Sequence, residues 1–266
     1  MTLSLSVITI CFNNLADLRF TCRSVEEQAL PPDEHLIIDG SSNEEILNWL
    51  QSAPQPPYRR WIHERDKGIS DAFNKGITHA RGDITHLLNS GDSYADQHAT
   101  EKAMAAFAAD PDLMWLHSRY IQHRGNMDVI SGLPFEKEKL WKGMRTVAHP
   151  SMFIRKAVYE KHGLYSTDHK IAMDYDMLVR MRNEKNSYLP YPLVYFAPGG
   201  ASDSQFSRGL QEVKRSHNSY IGSSFRLVFW QWRQRLLHQF MKTPWGRKWF
   251  RWKNKKMAAR PKTSSL

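Results

Sequence analysis

Four times within the first 92 residues an apolar, β-branched run stops on a small polar turn. Leu5–Cys11 ends in Phe12-Asn13-Asn14, residues 35–38 end in Asp39-Gly40-Ser41-Ser42, residues 60–63 run into a charged turn from Glu64 through Asp66 to Gly68, and residues 84–88 end in Asn89-Ser90-Gly91-Asp92. Between these runs lie helical segments: about 17–28, 44–51 with Asn43 placed to cap it, and a stretch opened by Ser70 or Asp71 that reaches about residue 80. This alternation leaves few topologies open. Parallel strands need crossovers, the crossovers are right-handed, and their helices cover the sheet. The expectation is an α/β chain with a Rossmann-like, mostly parallel central sheet flanked by helices. Ligands bind such sheets beyond the carboxyl ends of the strands, where Asn13, Asp39, Asp66 and Asp92 all fall.

The second half is less regular. Residues 99–108 read as a helix, 114–122 and 127–130 as strands, 151–155 as a short strand, and 156–162 as a helix stopped by Gly163. A helix begins at Asp174 and runs to about residue 183, and residues 188–196 return as a strand closing at Pro198-Gly199-Gly200-Ala201-Ser202.

Charge divides the chain. Residues 213–266 hold 14 of the 37 Lys and Arg and no acid, so residues 1–212 carry 23 bases against all 27 acids. Five of the nine tryptophans also lie beyond residue 212, and the two compositions suggest a body of residues 1–212 with a tail of residues 213–266. In the tail, Ile221, Phe225, Val228, Phe229, Trp232, Leu236 and Phe240 recur at helical spacing and form one stripe flanked by Arg226, Arg233 and Arg235. A Trp-rich, basic amphipathic helix suits an anionic membrane surface, and a helix docked on the chain's own core is the other reading. No second basic patch supports nucleic-acid binding. No apolar run is long enough to span a bilayer. The start lacks a signal-peptide pattern, and Cys11 and Cys22 form no metal or disulfide framework. A cytoplasmic chain, peripheral on the inner face of the cytoplasmic membrane, is expected.

The strand-end residues carry chemistry. The Asp39 carboxylate can accept hydrogen bonds from a base edge or ribose hydroxyl, with Gly40 admitting close backbone approach; a turn aspartate ahead of a helix cap reads the same way. Asp66 and Lys67 precede Gly68 and a helix N-terminus, which suits a diphosphate. Asp92 and Asn89 offer hard oxygens to a divalent ion. Asp174 and Asp176 both fall in the first turn of a helix, where a carboxylate serves either as a cap or as a base, and Asp176 can pair with Arg180 one turn on.

Taken in order, residues 6–13, Ile38-Asp39-Gly40-Ser41-Ser42, residues 66–76, Asn89-Ser90-Gly91-Asp92, residues 149–153, Gly163-Leu164-Tyr165, residues 172–180 and Gly199-Gly200-Ala201-Ser202 resemble the family 2 glycosyltransferases, inverting enzymes of GT-A fold. The resemblance covers about residues 3–205 and is greatest to bacterial members that build exopolysaccharide or lipopolysaccharide units. It implies non-processive transfer of one sugar from a nucleotide-diphosphate sugar, UDP- or GDP-linked, to a saccharide or lipid-linked acceptor. It further implies nucleotide-sugar contacts from Asn13, Asp39, Asp66, Lys67, Asn89 and His149, a Mn²⁺ or Mg²⁺ ion on Asp92, and Asp174 rather than Asp176 as general base. Asn89 stands where the family's Asp-x-Asp begins. The Gln-x-x-Arg-Trp motif of processive synthases does not occur. The competing readings are a nucleotidyltransferase on a similar fold, against which residues 9–14 lack a glycine-rich phosphate loop, and a catalytically decayed membrane- or nucleic-acid-binding module.

Overall fold

A computed structural model describes residues 3–124, 127–197, 205–246, 248–250 and 252. The Gly199-Gly200-Ala201-Ser202 motif and most of the basic end beyond Trp249 lie outside them. The amino-terminal half alternates strand and helix: β1 (Leu5–Cys11), α1 (Leu15–Glu26), β2 (Glu34–Asp39), α2 (Glu45–Ser52), β3 (Arg59–His63), α3 (Ile69–His79) and β4 (Ile84–Leu87). There follow β5 (Ser93–Tyr94), α4 (Ala99–Ala109), β6 (Trp115–Arg124), β7 (Met127–Ser131), β8 (Met152–Arg155), α5 (Lys156–His162), α6 (Met173–Arg180), β9 (Asn186–Phe196), α7 (Phe206–Tyr220) and α8 (Phe225–Lys242).

All nine strands form one sheet in the order β3-β2-β1-β4-β8-β6-β9-β5, with β7 paired to β6. The first four are parallel, each joined to the next in sequence by a helical crossover. Beyond β4 the sheet is mixed: β8 runs antiparallel to β4 and β6, while β6 and β9 pair in parallel. Every residue of β2 is buried, which explains why its central Leu36-Ile37-Ile38 is apolar on both faces rather than alternating. Pro190 and Pro192 sit in β9 where its register with β6 shifts, so no ladder amide is demanded of them.

Register places Cys11 opposite Asp39, and Asp39 opposite His63, at the carboxyl ends of β1, β2 and β3. Helix α3 approaches β1 closely: a Cβ on Gly76 would lie 2.4 Å from Ile8 Cγ2. Asn74 exchanges hydrogen bonds of 2.8 and 2.9 Å with the backbone of Tyr165. Helix α3 opens one residue before Ser70. Gly68 turns the chain at φ 127° and Asp71 Oδ2 accepts the Lys67 amide at 2.9 Å. Ser70 instead donates to the His169 carbonyl at 3.3 Å.

Residue 212, where the composition changes, lies inside α7. Helix α7 packs on α6, and α8 returns along α7, with Gln231 Nε2 donating to the Leu210 carbonyl at 2.6 Å. Ser224 caps α8, accepting the Leu227 amide at 3.3 Å.

Candidate active site

The strand ends open onto two adjoining hollows, of about 650 and 400 Å³, which share Ile69 and Asn89 in their walls. Asp66 and Ser90 line the smaller; Asp174, His149, Lys170 and Arg145 line the larger.

Asp66 leaves β3 through the charged turn and is largely buried. Lys75, in the second turn of α3, places Nζ 3.1 Å from Asp66 Oδ1 and 3.1 Å from Glu64 Oε1. Burial lifts the Asp66 carboxyl above its ordinary range, and Lys75 pulls it partly back. Lys67 is exposed and lies outside both walls, beside Thr167, His169 and Lys170 in a small cleft. The ammonium facing the larger hollow is that of Lys170, whose Nζ stands 3.9 Å from where a Cβ on Gly68 would lie.

Asp39 is fully buried and lines neither hollow. Its Oδ2 sits 2.7 Å from His63 Nδ1 and its Oδ1 accepts the Ser41 amide at 3.0 Å. Asn13 also lies outside both walls. At φ 50° it is the one non-glycine residue with positive φ among those described, a conformation asparagine tolerates. Its side chain ties the β1 loop to the β2 loop through Ser42, with bonds of 3.0 and 3.1 Å. Its neighbours Phe12 and Asn14 line the smaller hollow instead.

The turn after β4 is pinned from α1: Thr21 Oγ1 donates to the carbonyls of Asp92 and Asn89 at 2.7 and 3.2 Å and accepts the Gly91 amide at 2.9 Å. Gly91 has φ 100°, which admits no ordinary side chain. Asn89 lines both hollows with a buried Oδ1 that has no partner among the described residues. Asp92 is buried behind the wall. Its Oδ1 accepts the Ala197 amide at 2.8 Å, its Oδ2 has no partner among the described residues, and burial pushes its carboxyl up to about 7. No group of three or more His, Cys, Asp or Glu assembles a metal cage among the described residues. Two partnerless buried oxygens on one turn are nonetheless hard donors of the kind Mn²⁺ or Mg²⁺ takes when diphosphate and water supply the rest.

His149 sits in a 3-10 turn, His149–Ser151, ahead of β8. His86 fixes that turn from below. It stacks on Phe153 at 3.9 Å, takes Tyr94 on Nδ1 and donates from Nε2 to the Pro150 carbonyl at 2.8 Å. Burial pushes His86 down to about 3, so it stays neutral. The His149 ring packs 4.8 Å from Phe73 and its buried Nε2 has no partner among the described residues.

Asp174 is the second residue of α6 and faces the larger hollow, its Oδ1 without a partner among the described residues. Burial raises its carboxyl, and His149 draws it partly back. Asp176 is committed elsewhere: Arg180 Nε and Ser216 Oγ bond it at 2.9 and 2.8 Å. The strand-end acids Asp39, Asp66 and Asp92 and the helix-start Asp174 therefore do not share one hollow. Asp66 and Asp174 line the adjoining hollows, while Asp39 and Asp92 stand behind them, bonded to His63 and Ala197. Lys75 and Lys170 were not singled out from the sequence. Lys75 lies within the quoted motif, whereas nothing local marks Lys170.

The model of the family described as Glycosyl transferase family 2 matches residues 6–163. An uncharacterised glycosyltransferase of Mycobacterium tuberculosis is 32% identical over 179 residues, covering 66% of this chain and 68% of that protein. A PGL/p-HBAD biosynthesis glycosyltransferase of Mycobacterium bovis is 27% identical over 183 residues, with coverage of 66% and 68%. Among solved structures, the mannosyltransferase PcManGT of Pyrobaculum calidifontis, in complex with GDP-Man and Mn²⁺, superposes with a TM-score of 0.62 at 16% identity over 100% of this chain and 77% of that one. Staphylococcus aureus TarS does so at 0.61 and 14%, over 91% of this chain but 44% of its own. The last two likenesses establish a GT-A-like fold.

Proposed function

The chain belongs to glycosyl transferase family 2, and on that premise we propose that it is an inverting, non-processive enzyme moving one sugar from a nucleotide-diphosphate sugar to a saccharide or lipid-linked acceptor in cell-surface glycan or glycolipid synthesis. One observation carries the reading: a carboxylate with a raised pKa and an unbonded oxygen, Asp174, lines a hollow that adjoins a second one lined by Asp66. The smaller hollow is the donor's nucleotide site, with Asp66 on the base or ribose. Asp39 acts there through His63, and Asn13 through the loop it ties.

In this reading the acceptor lies in the larger hollow with a hydroxyl against Asp174. Asp174 takes that proton as the oxygen attacks the anomeric carbon from the face opposite the leaving diphosphate. Lys170 and His149 line the same hollow and meet developing negative charge. Asn89 and Asp92 would hold Mn²⁺ or Mg²⁺, which supplies charge stabilisation at the diphosphate when bound. The GDP-Man and Mn²⁺ complex of PcManGT supports this donor class.

Helix α8 supports work at an anionic membrane surface. Its two sides differ. Leu227 and Gln231 are buried and Trp230 packs edge-on to Trp141 at 5.8 Å, while Phe225, Val228, Phe229, Trp232, Leu236 and Phe240 are 41–84% exposed. The stripe legible in the sequence is thus the side turned away from the protein, and Arg226, Arg233 and Arg235 flank it. No described helix is long and apolar enough to cross a membrane, so α8 would lie flat on the surface. A thermal-shift panel of UDP, GDP, ADP and CDP with and without Mn²⁺ tests the donor assignment. One nucleotide is expected to stabilise the protein in a metal-dependent way, and no response to any of them would end it.

A further inference from the structure

Resting on Asp174 as the base, we propose that Glu212 of α7 is its positioning residue, clamping the three backbone amides that lead into α6 so that Asp174 is not drawn back onto them. The amides at and just before an N-cap have no intrahelical partner, and a first-turn carboxylate can reach back to them, as in a capping box. Here α6 has no side-chain cap of its own. Glu212 takes the amides of the N-cap residue Ala172 and of the two residues before it. Its Oε1 and Oε2 accept Lys170 N at 3.0 and 3.1 Å, and Oε2 also accepts Ile171 N at 2.8 Å and Ala172 N at 2.9 Å. Arg208 Nε holds Oε1 at 2.9 Å. One helical turn on, Ser216 Oγ bonds Asp176 Oδ1 at 2.8 Å and His169 Nε2 at 2.9 Å. The His169 carbonyl in turn accepts Ser70 Oγ of α3 at 3.3 Å. Helix α7 thereby fixes both acids of α6 in different roles: Asp176 is bonded and Asp174 is left facing the hollow.

Glu212 lines neither hollow, so it acts only through this geometry. The groups facing Asp174 are His149 from the turn before β8, Tyr159 of α5, Tyr165 of the following loop, and Lys170. Losing Glu212 deletes none of these side chains but frees the amides of residues 170–172 and removes one negative charge; both variants lose the charge alike, so the difference between Glu212→Ala and Glu212→Gln reports a new bond from Asp174 to those amides.

The test is a ¹³C-carboxyl NMR titration of Asp174, assigned through Asp174→Asn, in wild type, Glu212→Gln and Glu212→Ala. Wild type is expected to titrate above the ordinary aspartate value of about 3.9. In Glu212→Ala the midpoint should fall by about one unit or more, because a carboxylate that accepts backbone amides is stabilised in its charged form. Glu212→Gln keeps one accepting oxygen and should shift less, and it carries the test if the alanine variant does not fold. UDP and GDP affinities in Glu212→Gln should stay within about twofold of wild type. An unmoved midpoint in the folded variants, or nucleotide binding lost together with it, overturns the assignment. The titration needs no turnover. A wild type that hydrolyses no nucleotide sugar would count against sugar transfer while leaving the Glu212 result readable.

Discussion

Gly40 lies so close beneath Asp66 that a Cβ built on it would stand 2.0 Å from Asp66 Oδ2 and 2.9 Å from its Cγ. Asp66 can hold its place against Lys75 only because residue 40 has no side chain. Gly40→Ala is therefore expected to swing the carboxylate out of the smaller hollow and to weaken nucleoside-diphosphate binding by about tenfold or more, while overpacking costs about 1–3 kcal/mol. Calorimetric titration with UDP and GDP, beside a urea melt, separates the two effects. Unchanged affinity would remove Asp66 from the donor site.

Asp92 gives a pH-dependent expectation. Its folded pKa of about 7 lies above the unfolded value, so the folded state holds the proton more tightly. The stability this contributes is complete below about pH 3.9 and is lost as pH rises through 7, amounting to about 4 kcal/mol. Asp92→Asn, whose amide oxygen can still accept the Ala197 amide, should melt higher than wild type at pH 8 and lose the Mn²⁺-dependent thermal shift. Wild-type metal binding should strengthen as pH rises through 7. A Mn²⁺ response that survives in Asp92→Asn would take the metal away from this residue.

Glu212 has the opposite sign. Its carboxyl is buried, yet the three amides and Arg208 hold it down to about 2. Its contribution is present above the unfolded value and lost as pH falls from about 4.3 toward 2, about 3 kcal/mol in all. Acid melts of wild type and Glu212→Gln should converge near pH 2 and separate by pH 6. Parallel curves across that range would contradict the clamp.

The parallel half of the sheet was legible because apolar, β-branched runs and glycine turns are local signals. Strand-end position was legible for the same reason, and it pointed to Asp66 and Asn89 at the hollows; His149, in a turn ahead of β8, and Asp174, at a helix start, were marked by the resemblance. Side-chain direction was not. Asp39 turns to His63 because sheet register sets the two opposite each other, and Asp92 turns to Ala197, 105 residues away. Neither relation has a period or spacing that a sequence can show. Lys170 and Glu212 are visible only once α7 is laid on α6, although Glu212 does carry a faint mark as the last acid before the basic tail.

Helix α8 offers a separate expectation. Replacing Phe225, Phe229 and Trp232 together by Ser should abolish sedimentation with phosphatidylglycerol vesicles and leave UDP and GDP binding intact, because none of the three lines a hollow. Retained vesicle binding, or a change of oligomeric state instead, would assign the stripe to another partner.

Asp174→Asn tests the central claim most directly. It keeps the size and place of the side chain and removes only its capacity to take a proton. Transfer or hydrolysis of the nucleotide sugar should fall by about 10³-fold or more, with UDP or GDP affinity unchanged. Turnover within about tenfold of wild type would contradict Asp174 as the base.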